Sequence, residues 1–296
     1  MNSLSNHLLQ VKIKFTGAEL CAINAIKSNT EFIWQANADI WGSHAPNLFP
    51  IIGSMKDDSY IYNGKTYHMI KHGFARANEN FEITKSSETE IKFRLNSNDT
   101  LHKMYPFLFQ FDIYYTLKEN VLTVNHTVFN KDSNTMYFSV GGHPAFNCPL
   151  YKDETYTDYN LEFEKPETSQ SYLLNMTSGL VTDQKISVFT EGHKIPLHKN
   201  LFNNDALIFK DLKSRKVTLN HKSKGPVLSV SFNDFPFLGI WAKPNAPYVC
   251  IEPWLGIADS ETTNQNIEEK EGIIALNAGE TFSASYNIEI DHRHLV

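Results

Sequence analysis

The stretch Tyr248-Val249-Cys250-Ile251-Glu252-Pro253-Trp254 sets a single carboxylate at the close of an apolar run. In an extended chain Tyr248, Cys250 and Glu252 share one face and Val249 and Ile251 the other. Pro253 has no N–H to donate and restricts its predecessor to extended geometry. It is expected to stop the strand, leaving Glu252 at a strand end beside the Trp254 indole. Such a carboxylate has two readings: a satisfied partner of a nearby backbone or basic group, or a general base whose pKa is raised by an apolar wall.

A second proton-carrying group stands at His143, after Met136-Tyr137-Phe138-Ser139-Val140-Gly141-Gly142 and before Pro144. In phase with one strand it shares a face with Tyr137 and Ser139, and the two glycines leave open space for a ligand. Its alternative is a histidine capping a turn. His72, trailed by Gly73 and Phe74 after a hairpin, has the same character. Asp205, in Asn203-Asn204-Asp205-Ala206, reads first as a turn residue, as do Asp234 and Asp259. His126 lies in mid-strand as a packed or edge side chain, and His193 and His198 are too loosely spaced to pair as ligands. His72, His143 and Glu252 also make a two-histidine, one-carboxylate metal set. The short spacing that supplies two ligands from one strand is absent, so metal binding ranks below acid–base chemistry.

The elements that must position these groups are short and extended. Residues 8–34 alternate apolar and polar types in short runs, and residues 41–53 carry too much Pro and Gly for a helix. The latter read as an ordered loop that delivers side chains. Asn63-Gly64 supplies the two positive-φ positions of a tight hairpin turn between alternating aromatics. Strand pairs are expected at residues 81–95 and 111–129, one strand at 136–142, and further short runs from 159 to 163 and from 201 to 252. A last turn at residues 277–280 precedes a strand over 281–290. No long amphipathic helix is visible, and the spacing predicts an all-β sandwich. Without a linker, charge block or repeat, residues 1–296 read as one domain.

Composition narrows the partners. The chain carries 27 basic and 33 acidic residues, which gives no electrostatic reason to expect nucleic acid or an anionic membrane. Its only arginines are Arg76, Arg94, Arg215 and Arg293. Cys21, Cys148 and Cys250 lack C-x-x-C spacing and are expected to be buried thiols in a reducing compartment. The first residues lack basic and apolar signal regions, and no apolar run reaches bilayer length. A soluble, cytoplasmic protein is the expectation, with a homodimer left open.

Four blocks together resemble the aldose 1-epimerases, or galactose mutarotases, and within them the bacterial branch that includes the LacX proteins. They are Leu48-Phe49-Pro50-Ile51-Ile52-Gly53, Asn63-Gly64 leading into His72-Gly73-Phe74-Ala75-Arg76, Gly142-His143-Pro144-Ala145-Phe146-Asn147, and Cys250-Ile251-Glu252-Pro253-Trp254. The resemblance runs from near residue 9 to near residue 290, in the family's order. It implies a β-supersandwich with an open sugar cleft, and interconversion of the α and β anomers of a free hexose. It further implies Glu252 as the base acting on the anomeric hydroxyl, His143 as the acid protonating the ring oxygen, and His72 and Asp205 as ligands of the sugar. Ring opening of a hemiacetal needs one proton removed and another delivered at neighbouring oxygens, with no metal, nucleotide or redox cofactor.

Where relatives usually place an arginine after the glycine of Phe-Pro-x-x-Gly, this chain has Ser54. Lys56, two positions on, offers a point charge from the same face rather than a planar fork. Two rival readings follow: a hexose-6-phosphate mutarotase with Arg76 and Lys56 holding the phosphate, and a sugar-binding protein that kept the cleft without the chemistry.

Overall fold

In a computed structural model that describes residues 1–296, the sequence's alternation becomes sheet. Strand Val121–Asn130 buries Leu122, Val124, His126, Val128 and Asn130 and leaves the side chains between them half-buried. It is a central member of a nine-stranded sheet. The order there is Lys194–Pro196, Tyr159–Phe163, Lys216–His221, Gly225–Ser231, Thr281–Ile290, Val121–Asn130, Phe109–Lys118, Glu90–Asn96 and Glu82–Ser86. An eight-stranded sheet runs Val181–Ile186, Ser171–Leu174, Leu207–Phe209, Phe237–Trp241, Tyr248–Leu255, Val140–Gly142 and Asn47–Leu48, with Ala145–Asn147 also paired to Tyr248–Leu255. A four-stranded sheet of Asn2–Ser5, Leu9–Ile13, Leu20–Ala25 and Thr30–Glu31 completes the larger layers. The longest helix, Asp99–Met104, is capped by the Asn98 side chain, which accepts from the N–H groups of Thr100 and Leu101. No helix is long and apolar enough to cross a membrane.

The two large sheets pack face to face through large side chains. Phe49 stacks on Phe111 at 4.4 Å between ring centroids and also meets Phe74, Tyr105, Phe109 and Phe138. One contiguous cluster of 71 buried residues joins both sheets, so no seam in the core separates two halves of the chain. Asn63 and Gly64 take the two positive φ values that a tight hairpin demands, at 49° and 72°. All three cysteines are buried and free.

Two expectations about strands are corrected. Residues 136–142 form two strands, because Met136–Phe138 pairs with Ile274–Leu276 whereas Val140–Gly142 pairs with Tyr248–Leu255. Between them Ser139 donates its N–H to Pro50 O at 2.7 Å rather than to a neighbouring strand. Pro253, for its part, does not end its strand: it pairs with Leu238 and the strand continues to Leu255. The reason lies in the neighbour on the other side. Ile251 sends its N–H to Pro144 O, so the nitrogen of Pro253, two residues on, points the same way. There the ladder is interrupted between Val140–Gly142 and Ala145–Asn147, and no N–H is needed.

A buried polar knot ties the layers together. The Asn47 amide donates to Gly17 O, Ala18 O and the Tyr115 hydroxyl, while its Oδ1 accepts from His126 Nε2 at 2.9 Å. The imidazole is thereby held in its Nε2–H form, and Nδ1 has no partner. Burial pushes His126 down from 6.5 to about 3. The unfolded chain takes up this proton below about 6.5 and the folded chain does not, so stability falls as pH drops from about 6.5 toward about 3. Replacing His126→Gln should therefore shrink the drop in Tm between about pH 7.5 and about pH 5. Thermal melts at the two pH values check this, and an undiminished drop would remove His126 from the acid response.

Candidate functional site

Glu252 projects from the middle of the eight-stranded sheet into a cleft of about 360 Å³. The cleft is lined by Trp41, Lys71, His72, Arg76, His143, Asp205, Trp241, Glu252 and Trp254, among others. Opposite Glu252 on the next strand stands Gly239, where any Cβ would lie 2.4 Å from the Trp254 ring. The absent side chain is what lets the indole lie beside the carboxylate. His143 leaves strand Val140–Gly142 with its N–H on Pro46 O, and its Nε2 lies 3.2 Å from Glu252 Oε2. The glycines before it do not leave open space for a ligand, as the sequence suggested. A Cβ at Gly141 would meet Pro253 O at 2.7 Å and one at Gly142 would meet the Tyr286 hydroxyl at 2.5 Å, so packing demands both.

His72 is fixed by its own backbone. It sits at φ 67°. Its N–H donates to Gly53 O at 2.9 Å, and its Nδ1 accepts from the Gly53 N–H at 3.1 Å. Nδ1 therefore carries no proton, and Nε2–H is the donor available to the cleft. Gly53 in turn has φ 71°, and a Cβ there would fall 2.5 Å from Ala258 Cβ. Behind it, Asp259 N donates to Ser54 O, and the Asp259 carboxylate accepts from Lys56 N and from Lys270 Nζ. Asp259 is thus a buried ion-pair member rather than a turn residue, its side chain and that of Lys270 each 2% exposed.

Burial dominates the charge state of the floor. It raises Glu252 well above the ordinary carboxylate value, partly opposed by Lys71, Trp254 and Arg76 and reinforced by Asp205. It pushes His143 down to about 3, with Arg76 and Lys71 acting in the same direction. His72 is likewise lowered well below its usual value, first by burial and then by His143. Burial thus favours the uncharged form of each member of the Glu252–His143 pair, the carboxylic acid and the neutral imidazole. Glu252 Oε2, His143 Nδ1 and Trp254 Nε1 are all buried without a hydrogen-bond partner in the chain. Clustered orphans of this kind mark a place where a polar ligand completes the bonding.

Six of the seven residues singled out from sequence line this cleft: Glu252, His143, His72, Asp205, Arg76 and Trp254. Asp205, at φ 67°, is also the turn residue that its bland reading described, with Oδ1 accepting from Ala206 N. Lys56 is not among them, because the chain turns at residues 56–58 and its ammonium binds Glu261 O. The cation sequence reasoning missed is Lys71, whose only signal was its place beside His72. Trp41 and Trp241 were missed too. Trp41 stacks on His143 at 5.0 Å and 27°, and Trp241 meets that ring edge-on at 5.8 Å. The Pro- and Gly-rich loop that carries Trp41 does deliver a side chain, as expected of it.

Metal-ligating atoms gather here in a different set from the one the sequence suggested. Those of His143, Cys250 and Glu252 lie within 4.8 Å of one another, with Cys250 in place of His72. Burial and the neighbouring Glu252 raise the Cys250 thiol well above its usual value, which disfavours the thiolate that binds metals.

The family model described as "Aldose 1-epimerase" matches residues 1–289. Two relatives from Lactococcus lactis subsp. lactis, the plasmid and chromosomal forms of "Protein LacX", are each 35% identical over 295 residues, covering 97% of this chain and 98% of theirs. A solved structure described as a galactose mutarotase related enzyme from Lactobacillus acidophilus is 38% identical, with a TM-score of 0.92 and coverage of 98% and 97%. A galactose mutarotase-like protein from Lactobacillus casei ATCC 334 is 30% identical, with a TM-score of 0.91 and coverage of 98% and 100%.

The ion pair behind Gly53 yields a prediction. Asp259→Ala leaves the Lys270 ammonium buried and unpaired, which should cost about 3–5 kcal/mol. Chemical denaturation checks the loss, and the double variant Asp259→Ala with Lys270→Met should recover part of it.

Proposed function

The chain belongs to the aldose 1-epimerase family, and from that membership and its cleft we propose that it interconverts the α and β anomers of a free hexose. The observation that carries the reading is the Glu252–His143 contact of 3.2 Å at the cleft floor. The two oxygens of a hemiacetal hang on one carbon, so the groups that serve them must stand side by side.

In the proposed reaction the Glu252 carboxylate removes the proton of the anomeric hydroxyl while the C1–O5 bond breaks. The bonding pair goes to O5, which takes a proton from the His143 imidazolium. The product is the open-chain aldehyde with a hydroxyl at C5. Rotation about C1–C2 presents the other face of the carbonyl, and the same proton movements in reverse close the ring as the opposite anomer. Burial favours the proton on Glu252, so opening starts from the form in which the bound sugar has drawn that proton across to His143, and it ends with the proton back on Glu252. Lys71 and Arg76 favour the carboxylate form of Glu252 against burial. His72, with Nε2–H as its donor, and Asp205 hold sugar oxygens, and Trp254 walls the carboxylate. Positioned proton transfer of this kind is worth about 10²–10⁴-fold in rate per group.

A specific observation keeps a second substrate in view. Lys71 and Arg76 line the cleft with no carboxylate within salt-bridge distance, so a hexose bearing a 6-phosphate is the runner-up. Lys56 plays no part in that version.

Polarimetry or saturation-transfer NMR on freshly dissolved α-glucose, α-galactose and glucose-6-phosphate tests both readings, since one of them must equilibrate faster than in buffer. No acceleration of any would leave a binding protein. Glu252→Gln should lower kcat by about 10²–10⁴-fold with sugar binding retained, and an unchanged kcat removes Glu252 from the reaction. The pH profile supplies a further expectation. A second proton on the pair is resisted down to about 3 at His143, so kcat/KM should not fall between about pH 7 and about pH 5 as it would for a histidine titrating at 6.5. An acid limb centred near 6.5 would contradict the burial argument.

A further inference from the structure

His143 is held from one side by residues 40–46, a stretch outside the strands that lies between Thr30–Glu31 and Asn47–Leu48. Pro46 O accepts from His143 N and His44 O accepts from Ala145 N, each at 3.0 Å, so two backbone bonds flank Pro144. From the same stretch Trp41 stacks on the imidazole, and Ser43 Oγ accepts from Arg76 Nη2 at 3.3 Å. The imidazole and the neighbouring cation of the cleft both take their places from these few residues. A segment without a ladder of its own keeps such positions only if something behind it is fixed. Trp34 Nε1 and Lys243 Nζ secure its start, through Trp41 O and Ile40 O.

Behind its end stands Glu19, which does not line the cleft. It immediately precedes strand Leu20–Ala25 of the four-stranded sheet and is 6% exposed. Its Oε1 accepts from the N–H groups of His44 and Ala45 at 2.6 and 3.0 Å, and its Oε2 accepts from Lys14 Nζ at 3.1 Å. Lys14 also donates to His44 Nδ1 at 2.9 Å. Hydrogen bonds to an ionised acceptor are roughly twice as strong as neutral ones, and two of them on adjacent N–H groups fix the course of the chain there. We propose that Glu19 is a positioning residue for His143: from outside the cleft it braces residues 44 and 45, so that Pro46 O and the Trp41 ring hold the imidazole 3.2 Å from Glu252. The reach of the acceptor oxygen is the operative property, not its charge. The inference rests on the mutarotase reading for its kinetic consequence alone.

Two conservative variants separate reach from charge. Glu19→Gln keeps an acceptor oxygen at the same distance and loses the charge, whereas Glu19→Asp keeps the charge and withdraws the oxygens by one methylene. A misplacement of about 1 Å can cost about 10²-fold in rate. In the mutarotation assay Glu19→Asp should therefore lower kcat about 10–100-fold with KM within about threefold of wild type, and Glu19→Gln should keep both within about threefold. NMR of protein labelled at its histidines reads the ring without turnover. The Cε1–H signal of His143, assigned by its loss in His143→Asn, lies in the ring current of Trp41 and should move in Glu19→Asp and stay in Glu19→Gln. The reverse pattern, with Glu19→Gln impaired and Glu19→Asp intact, would make charge the operative property and overturn the proposal. Two variants equally impaired, or both indistinguishable from wild type, would overturn it as well. If the signals behave as expected while the wild type turns over no sugar, Glu19 still places the ring and the mutarotase reading falls.

Discussion

A carboxylate and an imidazole 3.2 Å apart inside a protein cannot titrate independently. Removing either from water favours its uncharged form, and the two forms together require one proton between them. Everything around Glu252 and His143 serves to keep that separation. Glu252 is carried by a strand paired on both sides, His143 is tied through its N–H to Pro46, and Trp41 stacks on the imidazole from above. Neither group could be held at that distance by a flexible loop.

The all-β class was readable because strands with one buried face repeat with period two, as in Val121–Asn130 and Thr281–Ile290. The hairpin at Asn63-Gly64 was readable because its turn needs positive φ at two successive residues. What escaped were features set by neighbours distant in sequence. Whether Pro253 ends a strand depends on the gap between Val140–Gly142 and Ala145–Asn147, more than a hundred residues earlier. The break at Ser139 likewise depends on Pro50. Local spacing carries no trace of either.

The site shows the same division. Glu252, His143 and His72 stood out because each adjoins Pro or Gly, which signals irregular backbone that aims a side chain. Lys56 was chosen by counting along an assumed strand, and a turn at residues 56–58 redirects it to Glu261. Lys71 and Trp241 belong to the cleft through the fold alone. The resemblance across four motifs identified the family, as the match over residues 1–289 bears out. Where the resemblance leads one to expect an arginine, the chain has Ser54, and the cations that line the cleft are Lys71 and Arg76.

The place of Tyr248–Leu255 within its sheet has a consequence for how the molecule comes into being. This strand joins Phe237–Trp241 on one side to Val140–Gly142 and Ala145–Asn147 on the other, yet it lies near the end of a 296-residue chain. During synthesis the two halves of that sheet have no ladder between them until it emerges, and contacts of such long sequence separation form slowly. A nascent chain stopped short of residue 255 would therefore lack the joint of its sheet as well as its carboxylate. Assembly of the layer and arrival of the buried carboxylate are a single late event.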